Sequence, residues 1–313
     1  MSDQFSSAPP RADEQFLERT IRLVHGADPG LTLRALWQGP SDPQMRVGRG
    51  VICRASRFAS GPATLRMRIL GESVLAQAWG PGAAEALDVV PSLIGERDDP
   101  APLVARHPIV ADTQRRLPGL RLTSGAQVYE TLLVSILGQK ITSFEARRSF
   151  AGLVRRFGER APGPLGLLLP PSPGKLSRLP YWALHPLGIE RRRADTLRAA
   201  AAAATQLERL ASLPSAERIE KLMTLPGIGP WTAAEAARLS FGDPDAVSVG
   251  DYHLPRLVCW ALACVSGGDD ARMLELLEPY RGQRARVVLL IENAGLRFAR
   301  RAPRMSPRSI AAI

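Results

Sequence analysis

The sequence has little of what several protein classes depend on. Its three cysteines, Cys53, Cys259 and Cys264, are too few and too unevenly spaced for a disulfide framework or a four-thiolate cluster. That points to a reducing compartment, with no structural metal or iron–sulfur site. His107, His185 and His253, with Asp112, fall into no metal-ligand or triad spacing. The N-terminus carries no charged segment followed by an apolar run, and no stretch of about 18 uncharged apolar residues occurs. The expectation is a soluble intracellular protein that needs no cofactor and no membrane.

What is present is positive charge. The 313 residues, enough for two or three domains, carry 41 Lys plus Arg against 30 Asp plus Glu, a net charge of +11. A polyanionic partner fits that excess, and so does a generally Arg-rich composition, so charge alone names no partner.

Texture divides the chain. Residues 1–14 are polar and Pro-rich, as disordered segments are. Over 15–100, apolar and polar residues alternate at 20–24, 50–54, 63–70 and 73–78, which predicts a half-buried antiparallel sheet, followed by a helix over 81–94. The acidic run from Glu96 to Asp99 ahead of Pro100 suggests a boundary. Helical periodicity dominates 101–298, with helices expected over 126–137, 143–157, 191–210, 216–223, 231–240, 252–265, 269–277 and 283–294, and a long surface connection over 158–180. The fold class is therefore α+β, mostly helical after an N-terminal sheet. Arg191, Arg192 and Arg193, and a basic tail over 299–313 preceded by Arg297, suit either phosphate contact or a solvated surface.

The most informative stretch is Thr224-Leu225-Pro226-Gly227-Ile228-Gly229-Pro230. It lies between two helical segments, the first opening with a capping serine, Ser215. Its two glycines allow backbone conformations closed to side chains. Proline is favoured at a first helical position, so the amides of Gly227 and Gly229 converge on a helix N-terminus, where a phosphate fits. Ile228 turns inward to pin the turn, and Thr232 begins a run of small residues that permits close helix packing. The expected DNA-backbone contacts are Thr224, Leu225, Gly227, Ile228, Gly229 and Thr232.

A mixed-sheet N-terminal region, then Ile136-Leu-Gly-Gln-Lys-Ile-Thr142, then this hairpin, then Gly250-Asp251-Tyr252, together resemble the helix-hairpin-helix DNA glycosylases. Within them the resemblance is to the bacterial 3-methyladenine glycosylase II type, over about residues 15–298. It implies a catalytic carboxylate at Asp251, 22 positions beyond Gly229, and a monofunctional enzyme, because Trp231 occupies the position of the Schiff-base lysine of bifunctional relatives. It also implies a base pocket using Trp231 and, facing it, Glu235 and Tyr252, and a plugging side chain at Lys140 or Ile141, where relatives often carry an apolar residue. The partner is then damaged duplex DNA, the enzyme monomeric and cytoplasmic at the nucleoid.

Each role has a plainer rival. Asp251 precedes an apolar helix and reads as its N-cap; Trp231, Tyr252 and Trp260 read as core; Glu235 reads as a surface helix glutamate; His253 reads as satisfied or exposed instead of positioning water. The last helix offers only the aliphatics of Val287-Val-Leu-Leu-Ile291 where relatives can supply a pocket tryptophan. Two other functions stay open: a binding protein that kept the clamp without the chemistry, and a glycosylase for deaminated or oxidised bases.

Overall fold

Strand-favouring residues build the first layer of the computed structural model, which describes residues 15–296; burial alternates little along them, since Val51–Phe58 is covered on both faces. The strands are β1 (Phe16–Arg22), β2 (Met45–Gly48), β3 (Val51–Phe58), β4 (Gly61–Leu70) and β5 (Ser73–Trp79), with a short helix α1 (Pro29–Thr32) after β1. They form one sheet in the order β1-β5-β4-β3-β2, every neighbouring pair antiparallel. The inward positions Ile52, Leu65, Met67 and Val74 meet Ala86, Leu87 and Val90 of α2 (Ala83–Leu93), which lies across the sheet as its second layer.

The helical part comprises α3 (Pro108–Arg116), α4 (Val128–Leu137), α5 (Ser143–Phe157), α6 (Pro173–Leu176), α7 (Tyr181–Leu184), α8 (Arg191–Ala202), α9 (Ala204–Glu208), α10 (Ser215–Met223), α11 (Pro230–Phe241), α12 (Leu254–Ala263), α13 (Asp270–Leu277) and α14 (Arg284–Asn293). Helix α4 is the central pillar: all its residues but Val134 are buried, against α5, α8, α9 and α11. A separate apolar cluster joins α3 to α12, α13 and α14.

Two buried ion pairs tie these parts together. Glu130 of α4 bonds Arg54 of β3 at 2.9 Å and also accepts from Ser56, Gln44 and the Arg57 amide. Taking the pair out of water is costly, and only such a saturated set of partners offsets the loss. Arg286 of α14 grips Asp98 with both terminal nitrogens, at 2.6 and 2.7 Å.

The acidic run is held from both sides: Asp98 also accepts from the Leu122 amide, and Glu96 accepts from Val24 and His25. Several expectations need correction. Residues 158–180 are more than a surface connection. They form a two-stranded hairpin, β6 (Glu159–Arg160) with β7 (Leu168–Leu169), whose Ala161, Leu167 and Leu169 pack on Cys53 and Ala55 of the sheet, while Leu176 enters the α4 core. The helix expected over 191–210 breaks at Ala203 into α8 and α9. Ser215 is the first helical residue rather than the cap, its hydroxyl bonding Asp243 instead. Among the described residues no helix is long and apolar enough to cross a membrane. The N-terminal residues 1–14 and the tail with Arg297, Arg300, Arg301, Arg304 and Arg308 lie outside the described residues.

Candidate active site and nucleic-acid interface

Helix α10 is amphipathic, with Leu222 fully buried and Thr224 closing its last turn through a hydroxyl bond to the Lys221 carbonyl at 2.7 Å. The chain then turns sharply. The Ile228 amide donates to the Leu225 carbonyl at 3.1 Å, and the Ile228 side chain is buried, so the turn is pinned from within. Among the described residues neither Gly227 nor Gly229 donates its amide to a protein acceptor. Gly229 stands as the N-cap of α11, with Pro230 at its first position.

The two glycines differ in kind. Gly227 has φ +84°, and a Cβ there would overlap the Thr196 hydroxyl of α8. Gly229 has φ −103° and ψ −177°, ordinary extended backbone, and a Cβ on it would meet nothing within 4 Å. The expectation that both glycines serve backbone freedom thus holds for Gly227 alone. Gly229 leaves open space where a side chain would stand. The Thr232 side chain is buried, and its hydroxyl accepts from Gln139 Nε2 at 2.9 Å.

That Gln139 contact links the hairpin to the loop after α4. The same amide nitrogen donates to the Gly227 carbonyl at 3.0 Å. The next residue, Lys140, is exposed and has φ +57°, a left-handed conformation that costs a non-glycine residue about 1–2 kcal/mol. Ile141 is half-buried, and Thr142 then closes a capping box with Glu145 at the start of α5. Gly138 is the C-cap of α4, and a Cβ there would come within 3.2 Å of the Trp231 ring. Trp231 therefore lies beside the loop that carries Lys140.

At its other edge Trp231 reaches Asp251. The indole Nε1–H donates to Asp251 Oδ2 at 3.0 Å. Oδ1 accepts from the His253 and Leu254 amides at 2.7 and 2.8 Å, which caps α12 from outside its first turn. The carboxylate thus works through both oxygens, with α11 on one side and α12 on the other.

Asp251 lines a small cavity of about 80 Å³ between α11, α12 and α14, together with Glu235, Arg238, Ser248, His253 and Glu292. Glu235 faces this cavity and is not a surface glutamate, because Arg238 one turn later (3.1 Å) and the Ser248 hydroxyl hold it inward. The charge of Glu235 keeps the Arg238 guanidinium above its ordinary pKa against the effect of burial. Glu292 retains much of its surface in solvent, yet it lines the cavity, and desolvation there raises its carboxyl above the usual range. Arg238 opposes that shift, and Glu235 and Asp251 add to it by repulsion. Three carboxylates thus face one guanidinium.

Tyr252 and Trp260 are not core residues. Tyr252 is 70% exposed, its ring edge-on to His253, and Trp260 is also open to solvent. Both belong to the outer face of α12 and its entry. Sequence reasoning missed Gln139, Arg238 and Glu292. Gln139 stood in the quoted motif without a role, and Glu292 directly follows the aliphatic run of α14.

No protein-family model matches the chain. Residues totalling 43% of it align at 31% identity, over 137 residues, with DNA-3-methyladenine glycosylase 2 of Escherichia coli (strain K12), covering 49% of that protein. The chain spans about half the length of the curated relatives it matches. The 3-methyladenine DNA glycosylase from Archaeoglobus fulgidus superposes with a TM-score of 0.73 at 20% identity, over 88% of this chain and 98% of that one. The chain shares the fold of that glycosylase. An 8-oxoguanine glycosylase/lyase from Clostridium acetobutylicum shares it at a TM-score of 0.68 and 15% identity, over 90% and 99% of the two chains. One fold thus carries differently named activities, and the choice among them rests on side chains.

Proposed function

We propose that this protein is a monofunctional DNA glycosylase that flips alkylated purines out of damaged duplex DNA and hydrolyses their N-glycosidic bond. The observation that carries the reading is the placement of Asp251: one carboxylate, anchored through both oxygens, lines a cavity beside a hairpin whose glycine amides are free. An alkylated purine already bears positive charge, so its bond to the sugar breaks with little help from an acid and leaves an oxocarbenium-like centre. A fixed anion at that centre lowers the barrier, and water completes the hydrolysis. The surplus of carboxylates from Glu235 and Glu292 over Arg238 suits a cationic base.

Absence of lyase chemistry is supported by where the lysines are. The chain has three, Lys140, Lys175 and Lys221, and none lines the cavity, while Trp231 fills the position where the bifunctional relatives carry the Schiff-base amine. The names of the Escherichia coli and Archaeoglobus fulgidus proteins favour methylated adenine as the lesion class. A division into a sheet-bearing N-terminal domain over 15–100 and a catalytic core over 101–298 belongs to the same proposal.

The test is to incubate the protein with alkylated, deaminated and oxidised duplexes and identify released bases by mass spectrometry, with borohydride added in parallel. Release of alkylated purines, no trapped adduct, and strand breaks only after alkali are expected. Efficient trapping would assign a lyase. Binding without release from any substrate would leave a damage-binding protein.

A further inference from the structure

The three consecutive arginines that open α8 have divided roles. Arg193 is buried and structural: its guanidinium donates to the Leu137 carbonyl at the end of α4 and to the Gly188 carbonyl, both at 3.1 Å. Successive helix positions turn by about 100°, so fixing Arg193 inward sends Arg191 and Arg192 outward, and both are exposed. The Arg191 guanidinium lies 5.5 Å from the centre of the Tyr181 ring, a contact that orients it without neutralising it. Among the described residues neither Arg191 nor Arg192 has a carboxylate within ion-pair distance. Of the acidic residues nearby, Asp195 leans on Arg198 at 3.5 Å and Glu190 on Arg193 at 3.6 Å.

These two cations do not stand alone on the surface. Arg191, Arg192, Asp195 and Thr196 line one wall of an open groove of about 550 Å³, and the opposite wall is Pro226 and Gly227 of the hairpin. Thr196 is the side chain that meets Gly227, so the two walls are in direct contact and the distance between them is set by packing. The free Gly227 amide and two unpaired guanidinium groups thus border one space.

We propose that this groove is a second phosphate-binding site for the DNA backbone, continuous with the hairpin, in which Arg191 and Arg192 take the phosphodiesters next to the one held by the glycine amides. The inference rests on the reading of the protein as a duplex-DNA enzyme. It adds an electrostatic half to a clamp whose other half is neutral backbone. Arginine suits the task because its planar fork binds phosphate oxygens in pairs. Such contacts position the duplex and carry no sequence information.

Fluorescence anisotropy with undamaged and abasic duplexes across a salt series tests it. Replacing both residues (R191A with R192A) should weaken binding to the two duplexes by a similar factor, on the order of tenfold or more at low salt, and reduce the slope of log affinity against log salt by about 2, since each phosphate contact contributes about 0.9. The lysine pair (R191K with R192K) should keep most of the slope. Thermal melting of both variants should match the wild type, which separates binding from folding. If the wild type binds and excises but the alanine pair keeps the full slope, the groove is not a phosphate site and only this inference fails. A wild type that binds no duplex would overturn the glycosylase reading with it.

Discussion

The indole N–H of Trp231 and the carboxylate of Asp251 form one hydrogen-bonded unit, 3.0 Å apart across α11 and the entry to α12. The proposed base-stacking residue and the proposed catalytic anion, separate candidates in the sequence, are therefore coupled: the donor that steadies the anion also fixes the ring. Trp231→Phe keeps an aromatic face and removes the donor. A hydrogen bond to a charged group contributes about 1.5–3 kcal/mol, so single-turnover excision from an alkylated duplex should fall roughly ten- to a hundredfold, in a protein that still folds cooperatively but melts at a lower temperature. Wild-type turnover in this variant would separate the two roles again.

Asp251→Asn is a sharper change than its size suggests. The carboxylate offers one oxygen to the α12 amides and the other to Trp231; an amide side chain has one oxygen and must leave one set of donors facing an NH₂. Excision should drop by on the order of a hundredfold or more, the scale for loss of one placed electrostatic group. Stability should fall by about 1 kcal/mol if the cap is the bond given up. Affinity for abasic duplex should hold or rise, because a carboxylate near phosphates repels them. Near-wild-type excision by a normally folded Asp251→Asn protein would reduce Asp251 to a cap.

The parts legible in the sequence were those with a local physical cause. Strands β3, β4 and β5 are runs of seven residues or more rich in strand-favouring residues, and α5 keeps helical spacing over fifteen, so composition and period marked them. Strand β2 has only four residues, Met45–Gly48, too few for a period. Helix α3 opens on Pro108 and runs into Asp112, Gln114, Arg115 and Arg116, a polar surface whose helicity comes from packing on α14. The hairpin was readable because its glycines and flanking helical segments are contiguous; Asp251 came forward through the family resemblance, and its residues alone suggested the cap. Glu292, Arg238 and Gln139 were not, since their meeting with Asp251 or Gly227 is made by tertiary packing across up to 88 positions of chain, as between Gln139 and Gly227.

The unequal glycines predict an unequal pair of variants. Gly227→Ala forces a side chain into left-handed backbone and into Thr196, so it should destabilise the fold by more than about 1 kcal/mol and lose DNA binding as a consequence. Gly229→Ala has room and an allowed backbone; its melting should be unchanged, while affinity for damaged and undamaged duplexes falls by the same factor, because the new methyl occupies the approach to the free amide. Undiminished binding by Gly229→Ala would mean that no phosphate comes there.

The loop carrying Lys140 and Ile141 separates strain from function. Lys140→Gly relieves the left-handed conformation and should leave the fold as stable or stabilise it slightly; if the lysine side chain fills the gap left by a flipped base, a fluorescent base analogue opposite the site should report less extrusion. Ile141→Ala is the matching test for the neighbouring residue. Normal flipping by both would place the plug elsewhere.

Glu208 supplies a pH dependence with a defined sign. Its carboxylate accepts from the Val128 and Tyr129 amides at the start of α4, at 3.0 and 2.9 Å. Burial nonetheless raises its pKa to about 7 from an ordinary 4.5, against those two bonds and with added repulsion from Glu130. A carboxyl whose pKa is higher folded than unfolded binds its proton preferentially in the folded state. Its contribution to stability is therefore complete below about 4.5, declines as pH rises, and is gone above about 7. Glu208→Gln holds the neutral form at every pH; its single oxygen accepts one of the two amides and its NH₂ faces the other, a loss that is the same at every pH and so leaves the pH trend readable. The melting temperature of Glu208→Gln relative to wild type should climb between pH 5 and pH 8, with other titrating groups cancelling in the difference. A constant difference across that window would show that Glu208 stays ionised at the head of α4, and that its hydrogen bonds outweigh burial.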